Sequence, residues 1–318
     1  MIEVRHLTKR FGAQRSAVED LSLTIQQGDA MGFIGPNGAG KTTTMRIIAT
    51  LLPATAGDVF VQGRSVTRFP EETKPLVGYL PDEFGIYRNL RVREFLEFFA
   101  AAYRLARGAR RQAIADVVEL TALGSMTGTY LEALSRGMRQ RVFIAKTLLA
   151  NPPVLVLDEP AANLDPRARI ELKSLLNELK RMGKTIFISS HILPELSDFC
   201  NKIAVIEQGR LVVCDEVARI IAMLRPGRHF AIACLGAAGG LTAHLRGRNV
   251  ELVGPGSRPP LSAPAGVDRA EVVLKDGDEQ AADLLAGLVR DGLRIVEFRE
   301  IPMNLEDVFL KVTEGKVA

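Results

Sequence analysis

The stretch "GPNGAGKTT", Gly35 to Thr43, gathers glycines, a lysine and hydroxyls in a way that suits phosphate. It matches G-x-x-x-x-G-K-[ST]. Gly35, Gly38 and Gly40 let the backbone curl so that successive N–H groups point into one concavity. A helix starting behind the loop adds its positive dipole end. The spacing lets Lys41 reach β- and γ-phosphate oxygens and lets Thr42 place its hydroxyl on Mg²⁺. The expected nucleotide-contacting set is Gly35, Pro36, Asn37, Gly38, Ala39, Gly40, Lys41, Thr42 and Thr43.

Two carboxylates, Asp158 and Glu159, close the apolar run "VLVLDEP". Successive strand residues point to opposite sides, so the pair need not share one task. Asp158 suits Mg²⁺ binding through its water shell, and Glu159 suits a general base for a water attacking the γ-phosphate. His191 ends "TIFISSH" in the same manner, where open α/β sheets bind ligands. Its expected task is to hold the γ-phosphate, Glu159 and the water in line. A second phosphate-seeking stretch is "LSRGMRQRV", Leu134 to Val142. Ser135 suits an N-cap, Gly137 leaves first-turn amides uncovered, and Arg136, Arg139 and Arg141 add positive charge. By themselves these residues do not say what a second such helix would hold.

The elements that must position these groups alternate strand and helix. "DAMGFIG" reads as a buried strand and "KTTTMRIIATLL" as the helix after it. "PVLVLDEP" and "KTIFISSH" read as parallel strands buried on both faces. Between the helix "KTTTMRIIATLL" and the strand "PVLVLDEP" lies a helical block, "VREFLEFFAAAYRLA" and "RQAIADVVELTAL", with Phe95, Phe99, Ala102, Tyr103 and Ala106 at helical spacing and expected in the core. The composition shifts near Leu224. From there "HFAIACL", "GGLTAHLRG", "NVELVG", "RAEVVLK", "EQAADLLAGLVRDG" and "RIVEFREI" spell β-α-β-β-α-β, with a last helix at "NLEDVFLKVT". That order predicts a small ferredoxin-like module behind a first domain, with domains at 1–224 and 225–318.

Charge excludes little. Lys and Arg total 41 against 37 Asp and Glu, a net +4 that gives no argument for nucleic acid. The dense basic stretch "YRLARGARRQ" is either a solvated helix end or a surface for acidic lipid. No apolar run reaches the roughly 18 residues of a membrane span, and "MIEVRHLTKRF" is charged where a signal peptide is apolar. Cys200, Cys214 and Cys234 lack metal-like spacing and suit buried thiols. A cytoplasmic protein is expected.

With these pieces in order, the chain from Met1 to about Leu224 resembles the ATP-binding subunit of an ABC transporter. Gly35–Thr43 is similar to the Walker A loop, "LSRGMRQR" to the family signature, "VLVLDEP" to Walker B, "NLDP" with Asp165 to the D-loop, and His191 to the switch histidine. The resemblance implies an α/β P-loop NTPase: a RecA-like core, an antiparallel β subdomain and a helical subdomain, plus the small α+β C-terminal domain. It implies ATP and Mg²⁺ as cofactors and turnover by Glu159 and His191. It also implies a head-to-tail pair of subunits, in which Ser135 and Gly137 of one chain, with Asp165 nearby, close on the γ-phosphate held by Lys41 of the other. Phe11 in "KRFG" matches the aromatic that stacks on adenine, with core packing as its rival. "NLEDVFLKVTEG" is similar to the tail of exporter-type members, the branch with drug and sodium extrusion ATPases.

Two motifs depart from the family pattern. Arg136 and Met138 replace the first Gly and the Gln of Leu-Ser-Gly-Gly-Gln, so Ser135 lacks the partner of a reciprocal capping box. In "VGYLPDEFGIY", Asp82 stands where the resemblance expects a glutamine, and it is read as a metal-side ligand. The implied partner is a separate membrane permease, contacted by the loop from Asp82 to Leu90; Phe84, Ile86 and Tyr87 are either its contacts or core. The subunit would then sit on the inner face of the membrane through that permease. The rival readings are a soluble ABC ATPase acting on ribosomes or nucleic acid, and a nucleotide-gated module without turnover. One cassette per chain, no heptads or Cys pairs, and the presence of Glu159 and His191 weigh against them.

Overall fold

The computed structural model of the protein describes residues 1–12, 15–85, 87–190, 199–224, 227–236, 240–246, 248, 250–253, 266–275 and 277–301. His191, Ile86, the Pro- and Gly-rich stretch 254–265 and the C-terminal "NLEDVFLKVT" therefore lie outside the described residues. The chain divides into two compact units, with the boundary after Ala218.

Three layers build the first unit. A twisted antiparallel sheet has the order β2-β1-β4-β5, from β1 (Ile2–Phe11), β2 (Arg15–Ile25), β4 (Ala56–Val61) and β5 (Arg64–Ser65). The second sheet has the order β10-β9-β3-β8-β7-β6, from β3 (Ala30–Ile34), β6 (Val77–Leu80), β7 (Val154–Leu157), β8 (Thr185–Ser190), β9 (Lys202–Glu207) and β10 (Arg210–Glu216). Strands β9, β3, β8, β7 and β6 run parallel, and β10 is antiparallel to β9. Every residue of β3, β7 and β8 is buried, as their unbroken apolar runs require. Helix α1 (Lys41–Ile48) adds Met45, Ile47 and Ile48 to the core shared by the two sheets, where Phe33 packs on Phe187 with ring centroids 5.0 Å apart.

The third layer is helical. After a single turn, α2 (Pro70–Thr73), it comprises α3 (Val92–Ala102), α4 (Arg107–Leu120) and α5 (Arg136–Leu148); α6 (Pro166–Arg181) follows β7. Helix α3 is shorter than its sequence suggests. It buries Val92, Phe95, Leu96 and Ala100, whereas Ala102, Tyr103 and Ala106 are exposed, which corrects their reading as core. The reason is Arg104, whose φ of 57° turns the chain out of the helix one residue after Tyr103. Among the described residues no helix is long and apolar enough to cross a membrane.

Helix α7 (Val217–Leu224) spans the division between the units. Beyond it come β11 (Arg228–Leu235), α8 (Gly240–Arg246), β12 (Glu251–Leu252), β13 (Val267–Leu274), α9 (Gly277–Arg290) and β14 (Arg294–Glu300). Their sheet order, β12-β13-β11-β14, is antiparallel throughout, as a ferredoxin-like β-α-β-β-α-β chain pairs. This unit has a core of its own: Phe230, Ile232 and Cys234 of β11 pack with Leu241 and Leu245 of α8 and Leu284 and Leu288 of α9.

Candidate functional site

The carboxyl ends of β3, β8 and β7 converge because the three strands are adjacent and parallel: Ile34 pairs with Ser190, and Leu157 with Ile188. The Gly35–Gly40 loop therefore leaves the sheet beside Asp158 and Glu159. Two of its glycines are demanded by backbone neighbours. A Cβ on Gly35 would stand 2.3 Å from the Ile206 carbonyl oxygen, and one on Gly40, at φ 106°, would stand 2.3 Å from that of Ala17. The loop is thus wedged between β9 and β2, and its shape is built into the fold.

Lys41 opens α1 and is only 6% exposed. Its ammonium donates to the carbonyl of Gly35 at 2.6 Å and of Pro36 at 3.3 Å, and stands 3.5 Å from Glu159 Oε1. The phosphate loop and the strand-end carboxylate thus face each other across one lysine. Thr42 and Thr43, half-buried, share the first turn.

Asp158 is completely buried. Its Oδ1 accepts from Ser189 Oγ at 2.7 Å, and Ser189 Oγ in turn accepts from the Glu159 N–H at 2.9 Å. Oδ2 is buried with no hydrogen bond among the described residues, a costly state for a carboxylate oxygen that takes no cation or donor. That free oxygen and the Thr42 position fit a hydrated Mg²⁺. The described residues hold no cluster of three protein ligands, so the ion would take most of its oxygens from phosphate and water. The Tyr79 hydroxyl is pushed up by burial and by the Asp158 charge, with Arg46 opposing.

Glu159 does not continue the strand as its position suggests. β7 ends at Leu157, and Glu159 takes a φ of 47°, a left-handed conformation sparsely used by non-glycine residues. The turn, rather than strand alternation, separates the two carboxylates. Asp82, just past β6, is mostly solvated, yet burial, then Asp158, Glu159 and Glu83, hold its carboxyl above the ordinary aspartate range, with Arg136 opposing. Asp82 therefore belongs to the electrostatic neighbourhood of the two strand-end acids.

Ser135 caps α5, its Oγ accepting from the Met138 N–H at 3.3 Å, and Asp165 caps α6, its Oδ1 accepting from the Ala168 N–H at 2.9 Å. The two helix starts touch: a Cβ on Gly137 would lie 2.9 Å from Ala168 Cβ. Arg141 pairs with Glu171 of α6, which removes it from the set of free anion-binding cations. Arg136 and Ser135 are exposed. Phe11 is 50% exposed with the Lys9 ammonium 5.2 Å from its ring, so the core reading fails and a ring face is available. Phe84 and Tyr87 turn inward: Phe84 stacks on Phe143 at 4.3 Å, and Tyr87 meets Phe95 at 5.0 Å. Ser189 was not singled out by sequence; the doubled serine of "FISSH" at the end of an apolar strand is its one trace.

The ABC transporter family model matches residues 18–162, from β2 to just beyond Glu159. An uncharacterized ABC transporter ATP-binding protein of Bacillus subtilis, YhcH, is 32% identical over 314 residues, covering 98% of this chain and 96% of that one. The chain belongs to the ABC transporter ATP-binding family. Another relative of this ABC subunit, the bacitracin transport ATP-binding protein BcrA of Bacillus licheniformis, is 37% identical over 213 residues, 67% of this chain and 68% of that one. Among solved structures, the ATP-binding cassette MJ0796, a dimer in a post-hydrolysis state with ADP and Pi, matches with a TM-score of 0.61 at 25% identity, covering 68% of this chain and 99% of that one. The protein is the ATP-binding subunit of an ABC transporter, and an ATPase.

Proposed function

We propose that this subunit drives export through a separate membrane permease, and that two ATPase subunits close head to tail on their nucleotides to do so. The observation that carries the reading is the Lys41–Glu159 juxtaposition at 3.5 Å together with an Asp158 oxygen that has no hydrogen-bond partner among the described residues. It supports a phosphate-seeking cation beside the strand-end carboxylate read as the base, with the neighbouring Asp158 read as the metal-side carboxylate.

In this reading the Gly35–Thr43 amides hold the triphosphate, and Lys41 exchanges its loop carbonyls for β- and γ-phosphate oxygens. Phe11 stacks on adenine. Thr42, Asp158 and Asp82 would hold Mg²⁺, directly or through its water shell, and the bound ion would offset phosphate charge. Glu159, freed from Lys41, takes a proton from water as its oxygen bonds to the γ-phosphorus. The bond from that phosphorus to the bridging oxygen breaks, and ADP keeps the electron pair. His191 aligns water and phosphate. Ser135 and Gly137 of the second subunit supply the far-side donors, with Asp165 at the seam. Burying so much phosphate charge needs donors from both sides. The 225–318 domain is assigned to stabilising the pair or regulating turnover.

Glu159→Gln tests the chemistry. It should abolish turnover, keep ATP binding and give a pair of subunits in sedimentation with Mg-ATP; normal hydrolysis by this variant would sink the assignment. Purification from detergent-solubilised membranes tests the partner: a polytopic protein should accompany the subunit.

A further inference from the structure

Helix α5 carries a lysine that the nucleotide site does not use. Lys146 lies in its last turn, half-buried, with its ammonium 4.9 Å from the centre of the Phe99 ring. Among the described residues its ammonium has no carboxylate partner and no hydrogen bond; burial alone, with no neighbouring charge, lowers its pKa. An ammonium with only an aromatic face for company has given up water without a counter-charge. A solvent-seeking lysine would extend its head into water instead.

The surroundings are a patch with a direction. Phe98, 57% exposed, and Tyr103, 38% exposed, flank Phe99 with centroids 5.1 and 6.1 Å away. Tyr87 joins the patch to the loop after β6 through its 5.9 Å contact with Phe99. Nearby Glu94 is occupied, its Oε2 accepting from the Arg91 N–H at 2.8 Å. A half-buried cation thus sits beside an aromatic surface whose exposed rings are Phe98 and Tyr103, continuous through Tyr87 with the loop already assigned to the permease.

We infer that Lys146 is the ionic anchor of the permease interface, and that it receives an aspartate or glutamate from a cytoplasmic segment whose flanking apolar side chains cover Phe98, Phe99 and Tyr103. The inference rests on the permease reading and adds the chemistry of the partner. Charge complementarity selects a carboxylate, and the aromatic rim selects a protein segment over a lipid headgroup, which would bring its charge without an apolar cover. Closing the contact removes the pair from water, where losing one member weakens a complex by about tenfold or more.

The test uses the full chain co-expressed with the membrane protein that co-purifies with it. A zero-length carbodiimide should join Lys146 Nζ to a carboxylate of that protein, found by peptide mass spectrometry. Lys146→Met and Lys146→Glu should each reduce the retained partner about tenfold or more and Lys146→Arg should retain it; Lys146→Met, which removes the desolvated charge, should melt no lower than the parent, and all three should hydrolyse ATP in isolation like the parent. If no polytopic protein accompanies the parent chain, the permease reading falls and the anchor with it. If one does, and the Met and Glu variants retain it equally, the anchor alone is wrong. Binding of the isolated subunit to phosphatidylglycerol vesicles that is lost in Lys146→Glu would overturn it in favour of lipid.

Discussion

Ser189 holds two residues of the candidate site with one hydroxyl, donating to Asp158 and accepting from the Glu159 amide. Ser189→Ala leaves both buried groups without that partner and should cost about 1–3 kcal/mol of stability. Because it also loosens the left-handed turn at Glu159, kcat should fall more than KM rises; melting and steady-state ATPase assays read the two effects separately. Asp82 makes a prediction with a sign. Its carboxyl is held above the ordinary aspartate range, so between the two values the folded chain binds more protons than the unfolded chain, and stability falls as pH rises through that window. Asp82→Gln removes the penalty. It should melt higher than the parent at neutral pH, by less than about 1 kcal/mol because the group is mostly solvated, with the difference vanishing toward acid. An unchanged rate and Mg²⁺ requirement in this variant would remove Asp82 from the site. Asp158 and Glu159 were legible as a carboxylate pair because they end an apolar run. Ser189 was not, since a serine carries no sign of what it will touch until β7 and β8 are known to be neighbours.

At the scale of elements, the site is a consequence of three strand ends and one wedged loop. Gly40→Ala puts a methyl against the Ala17 carbonyl in a conformation that already disfavours side chains. It should destabilise the protein by about 2–4 kcal/mol and abolish nucleotide binding, read by thermal denaturation and a fluorescent ATP analogue. Unbroken apolar runs made β3, β7 and β8 readable, and periodicity made α4 and α9 readable. The end of α3 was hidden, because Arg104 adopts a left-handed turn that nothing in "AAYRLARG" announces. The strand order was equally hidden: sequence shows which runs are buried, but not that β8 inserts between β3 and β7.

At the scale of the molecule, two cores predict two responses. The nucleotide loop belongs to the first unit alone, so in differential scanning calorimetry Mg-ATP should raise the transition of that unit, leaving the transition of the β11–β14 unit near its ligand-free temperature. A single transition displaced as a whole would show that the units unfold together. The ferredoxin-like order of the second unit was legible from alternating short patterns, whereas its task was not, since a packed sheet and two helices advertise no chemistry. The contact of Gly137 with Ala168, reinforced by Arg141 and Glu171, has a reach beyond its size. It joins helix α5, which the proposed pair would offer to a neighbour's phosphate, and helix α6, launched after β7, into a single lever. In a head-to-tail pair, filling one pocket then tilts the donors of the other, and velocity plotted against ATP should be sigmoidal, with a Hill coefficient above one that Gly137→Ala returns toward one.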